Sequence, residues 1–388
     1  MNTPDLIYLD HAATTRTLPE AVRAMLPYFT EVYGNPSSAY GFSDRPREAA
    51  ARARKQCADV IGADASEIFF TSGGTESDNW ALTAAVLSGR GRRIITSAVE
   101  HPAVLRTCAF LEAHGARVTY LQPDREGFLS PEQVENALTP DTCLISVMTA
   151  NNEIGTIEPI REIGALAKRH GILFHTDAVQ AYCHIPIDVK RDHIGLMSVS
   201  GHKFGGPRGT GFLYIRKDVK IGALLHGGPQ ERNRRAGTEN IPGIVGMGTA
   251  AELSASRLAE NTGRERALRD RLVSRVLSEI PGASLNGPPV NGGQRLANNA
   301  DFTFDGIRSD ALLIRLDLQG ICVSAGSACS TGALTPSHVL TAIGLTEEEA
   351  RGSIRVSVGP ENTMEEIDRT ADALRENIQK MREMISSF

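Results

Sequence analysis

The sequence predicts an α/β protein, a large unit on a mainly parallel sheet joined to a smaller α+β unit, and three observations carry that reading. Between about residues 66 and 216, seven short β-rich runs alternate with helical periods, as in a parallel sheet covered by helices. From about residue 256 the pattern changes to a charged helix, a turn-rich stretch and scattered short strands. The chain has 388 residues, long for a single core, so two units are the natural expectation.

The strands are expected at 67–70 (Glu-Ile-Phe-Phe), 93–96, 117–121, 143–148, 172–175, 196–199 and 211–215. A helix follows the first strand through Leu87. Another begins near His101-Pro102, with proline in an early helical position. Ser130-Pro131-Glu132 opens a third with a cap-like serine, and Ile160–His170 forms a fourth closed by Gly171. In the second unit, Arg264–Ile280 is helical and Pro281–Gly293 is a turn region. Asp301–Phe304 and Ser353–Val358 are strands, and a last helix runs from about Thr363 to Met384.

Composition narrows the function classes. Hydrophobic residues are 41% and charged residues 22%, ordinary for a globular protein, and net charge is -5, so neither nucleic acid nor an anionic membrane is an expected partner. The N-terminal MNTPDLIYLD is not a secretory signal, and no stretch approaches the ~18 apolar residues of a membrane-spanning helix. Six scattered cysteines without a Cys-x-x-Cys pair argue against a disulfide framework or a zinc site, so no metal is expected. A reduced, cytoplasmic location follows as an expectation.

Several strand ends carry chemistry. Ser200-Gly201-His202-Lys203 follows an apolar strand. Lys203 is either a solvated loop lysine or a lysine holding pyridoxal phosphate as a Schiff base. Asp177, after another apolar strand, is either a turn residue or the carboxylate that keeps a pyridine nitrogen protonated. Thr71-Ser72-Gly73-Gly74-Thr75-Glu76 joins a strand to a helix. Gly74 allows backbone amides to approach an anion, and Thr75 adds a hydroxyl near the positive helix end. The glycine spacing fits neither a Walker loop nor a dinucleotide fingerprint. Ser200 and His202 can add phosphate donors. His101 is a cap or a ring-stacking acid/base, and the amides of Asn152 and Gln180 can reach a phenolic oxygen. Arg355, flanked by apolar strand residues, needs a partner: a substrate carboxylate or a protein acid.

With these pieces placed, the chain resembles the class I cysteine desulfurases, the NifS/IscS type of the class V aminotransferase superfamily. The likeness runs from Tyr8-Leu9-Asp10-His11-Ala12-Ala13-Thr14-Thr15 to the Ser353-Ile354-Arg355 strand. It includes Gly34-Asn35-Pro36, Glu100-His101-Pro102, Asn151-Asn152-Glu153, Arg235-Ala236-Gly237-Thr238 and Gly326-Ser327-Ala328-Cys329. The resemblance implies pyridoxal 5'-phosphate on the type I fold of PLP-dependent transferases. The large domain would be residues 15–255, with a seven-stranded sheet. The small domain would be residues 1–14 and 256–388, with the cysteine loop at about 322–335. It implies that Lys203 holds the cofactor, that Asp177 pairs with its ring nitrogen, and that His101 stacks on the ring and moves protons. Gly74, Thr75, Ser200 and His202 would bind its phosphate, and Asn152 and Gln180 its ring oxygen. The family is homodimeric, so Thr238 would reach the cofactor of the partner subunit. Arg355, helped by Asn35, would hold the carboxylate of L-cysteine. Cys329 would take the substrate's sulfur as a persulfide and pass it to acceptor proteins of iron–sulfur cluster assembly, thio-cofactor synthesis or tRNA thiolation.

Some residues depart from the family pattern: Ala325, Tyr40, Pro229 and an end at Phe388, where housekeeping members carry a longer scaffold-docking tail. Selenocysteine lyase, or another PLP enzyme of this class, is the alternative. A plain aminotransferase has no use for Cys329, and a non-catalytic sulfur-carrier scaffold has none for Lys203 and Asp177. Cys57, Cys108, Cys143, Cys183 and Cys322 read as packing residues. Only Cys329 has the small neighbours of a movable nucleophile, and weak order is expected around 325–334.

Overall fold

The computed structural model describes residues 6–325 and 336–386. Twelve strands occur among these residues: β1 (Ile7–Tyr8), β2 (Ile68–Thr71), β3 (Arg93–Ser97), β4 (Arg117–Leu121), β5 (Thr142–Ser146), β6 (Leu173–Asp177), β7 (Leu196–Ser200), β8 (Gly211–Ile215), β9 (Ala283–Leu285), β10 (Asn299–Phe304), β11 (Ile321–Cys322) and β12 (Ser353–Ser357). Strands β2 to β8 are the seven that the pattern predicts, shifted by a residue or two at their ends. Glu67 lies outside β2, because Asp64 and Glu67 close a capping box in the turn before it.

These seven strands form one sheet in the order β2-β8-β7-β6-β5-β3-β4. β8 runs antiparallel to both its neighbours and every other pairing is parallel, so six strands point their carboxyl ends to one side. Side chains alternate between two cores. Ile95, Ile145 and Phe174, in register across β3, β5 and β6, belong to one apolar cluster, and Ile94, Leu144 and Leu173 to the other. Covered on both faces, the strands read as continuous apolar runs. From β3 the chain steps outward to β4 and then returns across β3 to β5. The gap between the β3 and β5 ends is therefore a topological switch point, where α/β sheets bind ligands.

Helix Gly74–Leu87 packs on this sheet and carries Trp80, the chain's one tryptophan. Trp80 is fully buried, meets Phe69 edge-to-face at 6.0 Å and donates from Nε1 to Gly222 O at 2.7 Å. Helix Pro131–Asn136 starts where Ser130 predicts, with a Ser130–Gln133 capping box, and Gly171 (φ +67°) follows helix Ile160–Arg169.

The remaining strands form a second layer. β12, β10 and β9 make an antiparallel sheet backed by helices Leu258–Glu279 and Met364–Ser386, with Leu272, Phe302, Ile354 and Leu374 in its core. Truncating such a residue to alanine costs about 2–5 kcal/mol. β1 pairs in parallel with β11, and Asp10 bridges to Ser357. Ile7 and Leu9 therefore pack in this second core, far along the chain from their partners. Among the described residues, no helix is long and apolar enough to cross a membrane.

Candidate active site

One cavity of about 320 Å3 opens at the carboxyl ends of the large sheet, within the size range of small-molecule sites. Each wall comes from a strand-to-helix or strand-to-turn junction. The β2 end supplies Gly74 and Thr75, and the β3 end supplies His101. The β5 end supplies Asn152, β6 supplies Asp177 and Gln180, and β7 supplies Ser200, His202 and Lys203. Arg355 of β12 closes it from the second layer. The structure thus brings together all of the predicted cofactor residues except Thr238. Thr238 is exposed on a separate loop, and Asn35 lies outside this wall with its Oδ1 accepting from Ser37 N–H. Cys329, with the weak order expected around 325–334, lies outside the described residues.

Lys203 ends a single helical turn directly after β7, and its Nζ donates to Ala12 O (2.6 Å) and Ala13 O (2.8 Å). The small side chains at 12 and 13 let the backbone come this close. Asp177 is buried at the end of β6, and its Oδ1 accepts from Val179 N–H at 2.9 Å. Burial lifts its carboxyl to about 6, against the opposing pull of the Val179 amide and Lys203. Next to it sits Asp78, on the inner face of helix Gly74–Leu87. Burial and the Asp177 charge push Asp78 well above the usual carboxylate range. One ligand atom each of Asp78, Asp177 and His101 lie within 4.8 Å of one another.

His101 is both a cap and a wall residue. Its Nδ1 accepts from Ala103 N–H (3.1 Å), which places the ring proton on Nε2. Burial, with Lys203 and His338 nearby, lowers its pKa to about 4. Gln180 Nε2 donates to Ala12 O (2.8 Å), and His202 Nδ1 lies 3.0 Å from Thr14 Oγ1. Burial, then Lys203 and Arg208, lower His202 to about 4 as well.

Arg355 is almost fully buried and has a protein acid beside it. Its Nη2 pairs with Asp10 at 2.8 Å, and Nη1 donates to Asn152 O at 2.9 Å. A protein acid is its partner here, so a substrate carboxylate would have to share the guanidinium with Asp10.

Of the described residues that flank Cys329, one side lines this cavity and the other reaches it through Arg355. Ser324 pairs with Arg355 through two backbone hydrogen bonds, and His338 lines the wall just after Ser337, which bonds Glu153. His338 was not read from the sequence. A lone histidine after a proline and a serine cap carries no signal of its position. Glu100 was missed too. Its Oε1 accepts from Ser97 Oγ and Met148 N–H, which ties the β3 loop to the β5 end. Burial pushes its carboxyl up to about 8. The other five cysteines are structural in placement: Cys57, Cys108, Cys143 and Cys183 are buried, and Cys322 is half-buried in β11.

The donor set fits pyridoxal phosphate. Among the described residues Asp177 receives a hydrogen bond at Oδ1 only, which leaves Oδ2 capacity for a ring N–H. At the opposite end, the Ser200 side chain lies against the Gly73–Gly74 turn, 3.6–3.7 Å from where Cβ atoms would stand. The first-turn amides of helix Gly74–Leu87 meet there, suited to a phosphate.

The comparisons agree with this geometry. Residues 7–370 match the family model "Aminotransferase class-V". A cysteine desulfurase IscS of Methanosarcina thermophila is 54% identical over 380 residues, 97% of this chain and 93% of that protein. A solved NifS-like protein superposes with a TM-score of 0.90 at 38% identity, covering 96% of this chain and 99% of that one. A structure described as SspA in complex with cysteine is also 38% identical, with a TM-score of 0.81, over 92% of this chain and all of that one.

Proposed function

The chain belongs to the class-V aminotransferase family and is a cysteine desulfurase, and we propose that it holds pyridoxal phosphate on Lys203 and takes the sulfur of L-cysteine onto Cys329. The observation that carries this reading is the cavity that joins Lys203, Asp177 and the Gly74–Ser200 end to His338 and to Arg355, the backbone partner of Ser324. The bound cofactor supplies an electron sink for the substrate's Cα carbanion.

The chain's own residues do the rest. Asp177 holds the ring nitrogen protonated. Gly74, Thr75, Ser200 and His202 hold the phosphate, and Asn152 and Gln180 reach the ring oxygen. His101, neutral near pH 7, packs over the ring and donates from Nε2. Lys203 Nζ moves the proton at the substrate Cα. Arg355, with Asn35, orients the substrate carboxylate, and Asp10 limits how tightly it can do so. The Cys329 thiolate attacks the substrate sulfur. The carbon–sulfur bond breaks, a sulfur–sulfur bond forms, and the carbon fragment takes up a proton to become L-alanine.

The same reading makes the protein a cytoplasmic homodimer. Exposed Leu26, Phe29, Tyr33 and Phe42 offer an apolar surface, with Tyr33 and Phe42 rings 5.1 Å apart. Thr238, exposed on its own chain, then reaches the cofactor phosphate of the partner subunit. The persulfide passes to an acceptor thiol of iron–sulfur assembly, thio-cofactor synthesis or tRNA thiolation.

The test is Cys329→Ala. The variant should keep the wild-type cofactor absorbance and the borohydride-reducible adduct while losing sulfur release from cysteine. Alanine and sulfide formed at the wild-type rate would defeat the proposal.

A further inference from the structure

Behind the Lys203 turn lies a second cavity, of about 370 Å3, that the reaction does not use. The turn is the partition between the two: Lys203 lines both, and His184 Nε2 donates to Lys203 O at 3.0 Å on the rear side. Residues Thr15–Pro19, the helices Ile241–Ser256 and Leu258–Glu279, His11 and the Pro360–Glu361 turn add to its walls.

Glu265 lines this cavity at 5% exposure. Among the described residues it has neither a hydrogen-bond nor an ion-pair partner, and its carboxyl oxygens are not sealed in the core but open to the cavity. The charge that acts on it is another carboxylate of the same cavity, Glu361. Burial and that charge push Glu265 up to about 8. His11, also on the wall, feels the Glu361 and Asp10 carboxylates, while burial keeps its ring neutral. Leu18, Phe204 and Leu253 add apolar surface. Arg16 and Arg257 also line it but are exposed residues, and Arg257 lies 3.8 Å from Glu20.

This combination selects a ligand class. The carboxyl, protonated in the unliganded cavity, gives up its proton most readily against a donor with positive charge, and the charge-assisted hydrogen bond so formed outweighs a neutral one. A hard divalent ion needs several oxygen ligands, and one buried carboxyl does not supply them. An anion would meet the Glu361 carboxylate. We propose that the rear cavity binds a small primary alkylammonium compound, with its ammonium on Glu265 and its methylenes along Leu18, Phe204 and Leu253.

Calorimetric titration of the full-length protein tests this, using 1-aminobutane and 1,4-diaminobutane against 1-butanol and butyrate. Borohydride treatment beforehand fixes any cofactor to Lys203, so that amine exchange in the front cavity contributes no heat. At least one amine should bind saturably at one site per chain, and the alcohol and the carboxylate should not. Glu265→Gln, the shape of the neutral acid, should weaken amine binding about tenfold or more, the loss of one charge-assisted bond. Thr262→Phe should block the cavity with Glu265 intact and weaken binding as much. The proposal fails if neither amine binds at millimolar concentration, if Glu265→Gln binds like wild type, or if butyrate binds in preference.

Discussion

The two cavities on either side of the Lys203 turn contain the same kinds of group and treat them differently. Each has a buried carboxyl and a neutral imidazole: Asp177 with His101 in front, Glu265 with His11 behind. In front, Val179 N–H and Lys203 oppose the effect of burial, and the carboxyl rises only to about 6. Behind, no described group opposes it and the charge that acts on it is another acid, so the carboxyl rises to about 8. Burial raises both. The partner decides which one is an ion at neutral pH.

The largest effect should come from removing the partition's own side chain. Lys203→Ala should lower turnover about 1000-fold or more, roughly 4 kcal/mol of barrier, and abolish the borohydride-reducible adduct. Steady-state kinetics and mass spectrometry of the reduced protein check both outcomes. An unchanged adduct would remove Lys203 from its role.

Asp177→Asn should follow, with a loss of about 100-fold in kcat and a changed cofactor spectrum, because an amide cannot hold the ring nitrogen protonated. Glu265→Gln should leave kcat within about twofold. Equal kinetic losses in the two variants would mean that the cavities are not functionally distinct.

Glu265→Gln should nevertheless change stability, and with a definite pH dependence. In the unfolded chain this carboxyl ionises near ~4.3, whereas in the folded protein it keeps its proton until about pH 8. The folded state therefore binds more protons in that window, and stability falls as pH rises through it. The glutamine variant escapes this loss. It should gain about 4–5 kcal/mol over wild type near pH 8, and the gain should shrink toward zero near pH 4.5. Denaturant unfolding at several pH values reads the difference.

The smallest effect should be Thr15→Val, at the seam of the two cavities. Thr15 Oγ1 donates to His202 O and accepts from Gly205 N–H, each at 2.9 Å. Losing both should cost about 1–2 kcal/mol, read as a lower unfolding midpoint with the cofactor spectrum retained.

The front cavity was legible in the sequence for a physical reason. Its residues stand at strand ends, and strand ends show as the points where an apolar run stops: Asp177, Lys203, His101 and Gly74 could each be placed that way. The rear cavity was invisible, because Glu265 occurs in a charged helix among many exposed acids and arginines. Only packing against Thr15–Pro19 and Glu361 makes it unusual. The same holds for β1 and β11, two-residue strands joined across most of the chain, whose pairing no local pattern encodes. Reversal of β8 was not predicted either, since a buried antiparallel strand reads like a buried parallel one. Ala12 and Ala13 belong to a block that the family resemblance had marked. Their part, offering carbonyls to Lys203, needs no side chain and leaves no chemical trace in the sequence.

Trp80 gives the protein a built-in optical probe. It is the only indole, it is shielded from solvent, and it belongs to the helix whose first turn lines the front cavity. Its emission should be blue-shifted and resistant to a soluble quencher in the native state, and should shift to the red only when this region opens. A chromophore seated on Asp177 would draw off that emission by energy transfer. A single wavelength scan would then report both whether the large sheet is folded and whether its cavity is filled.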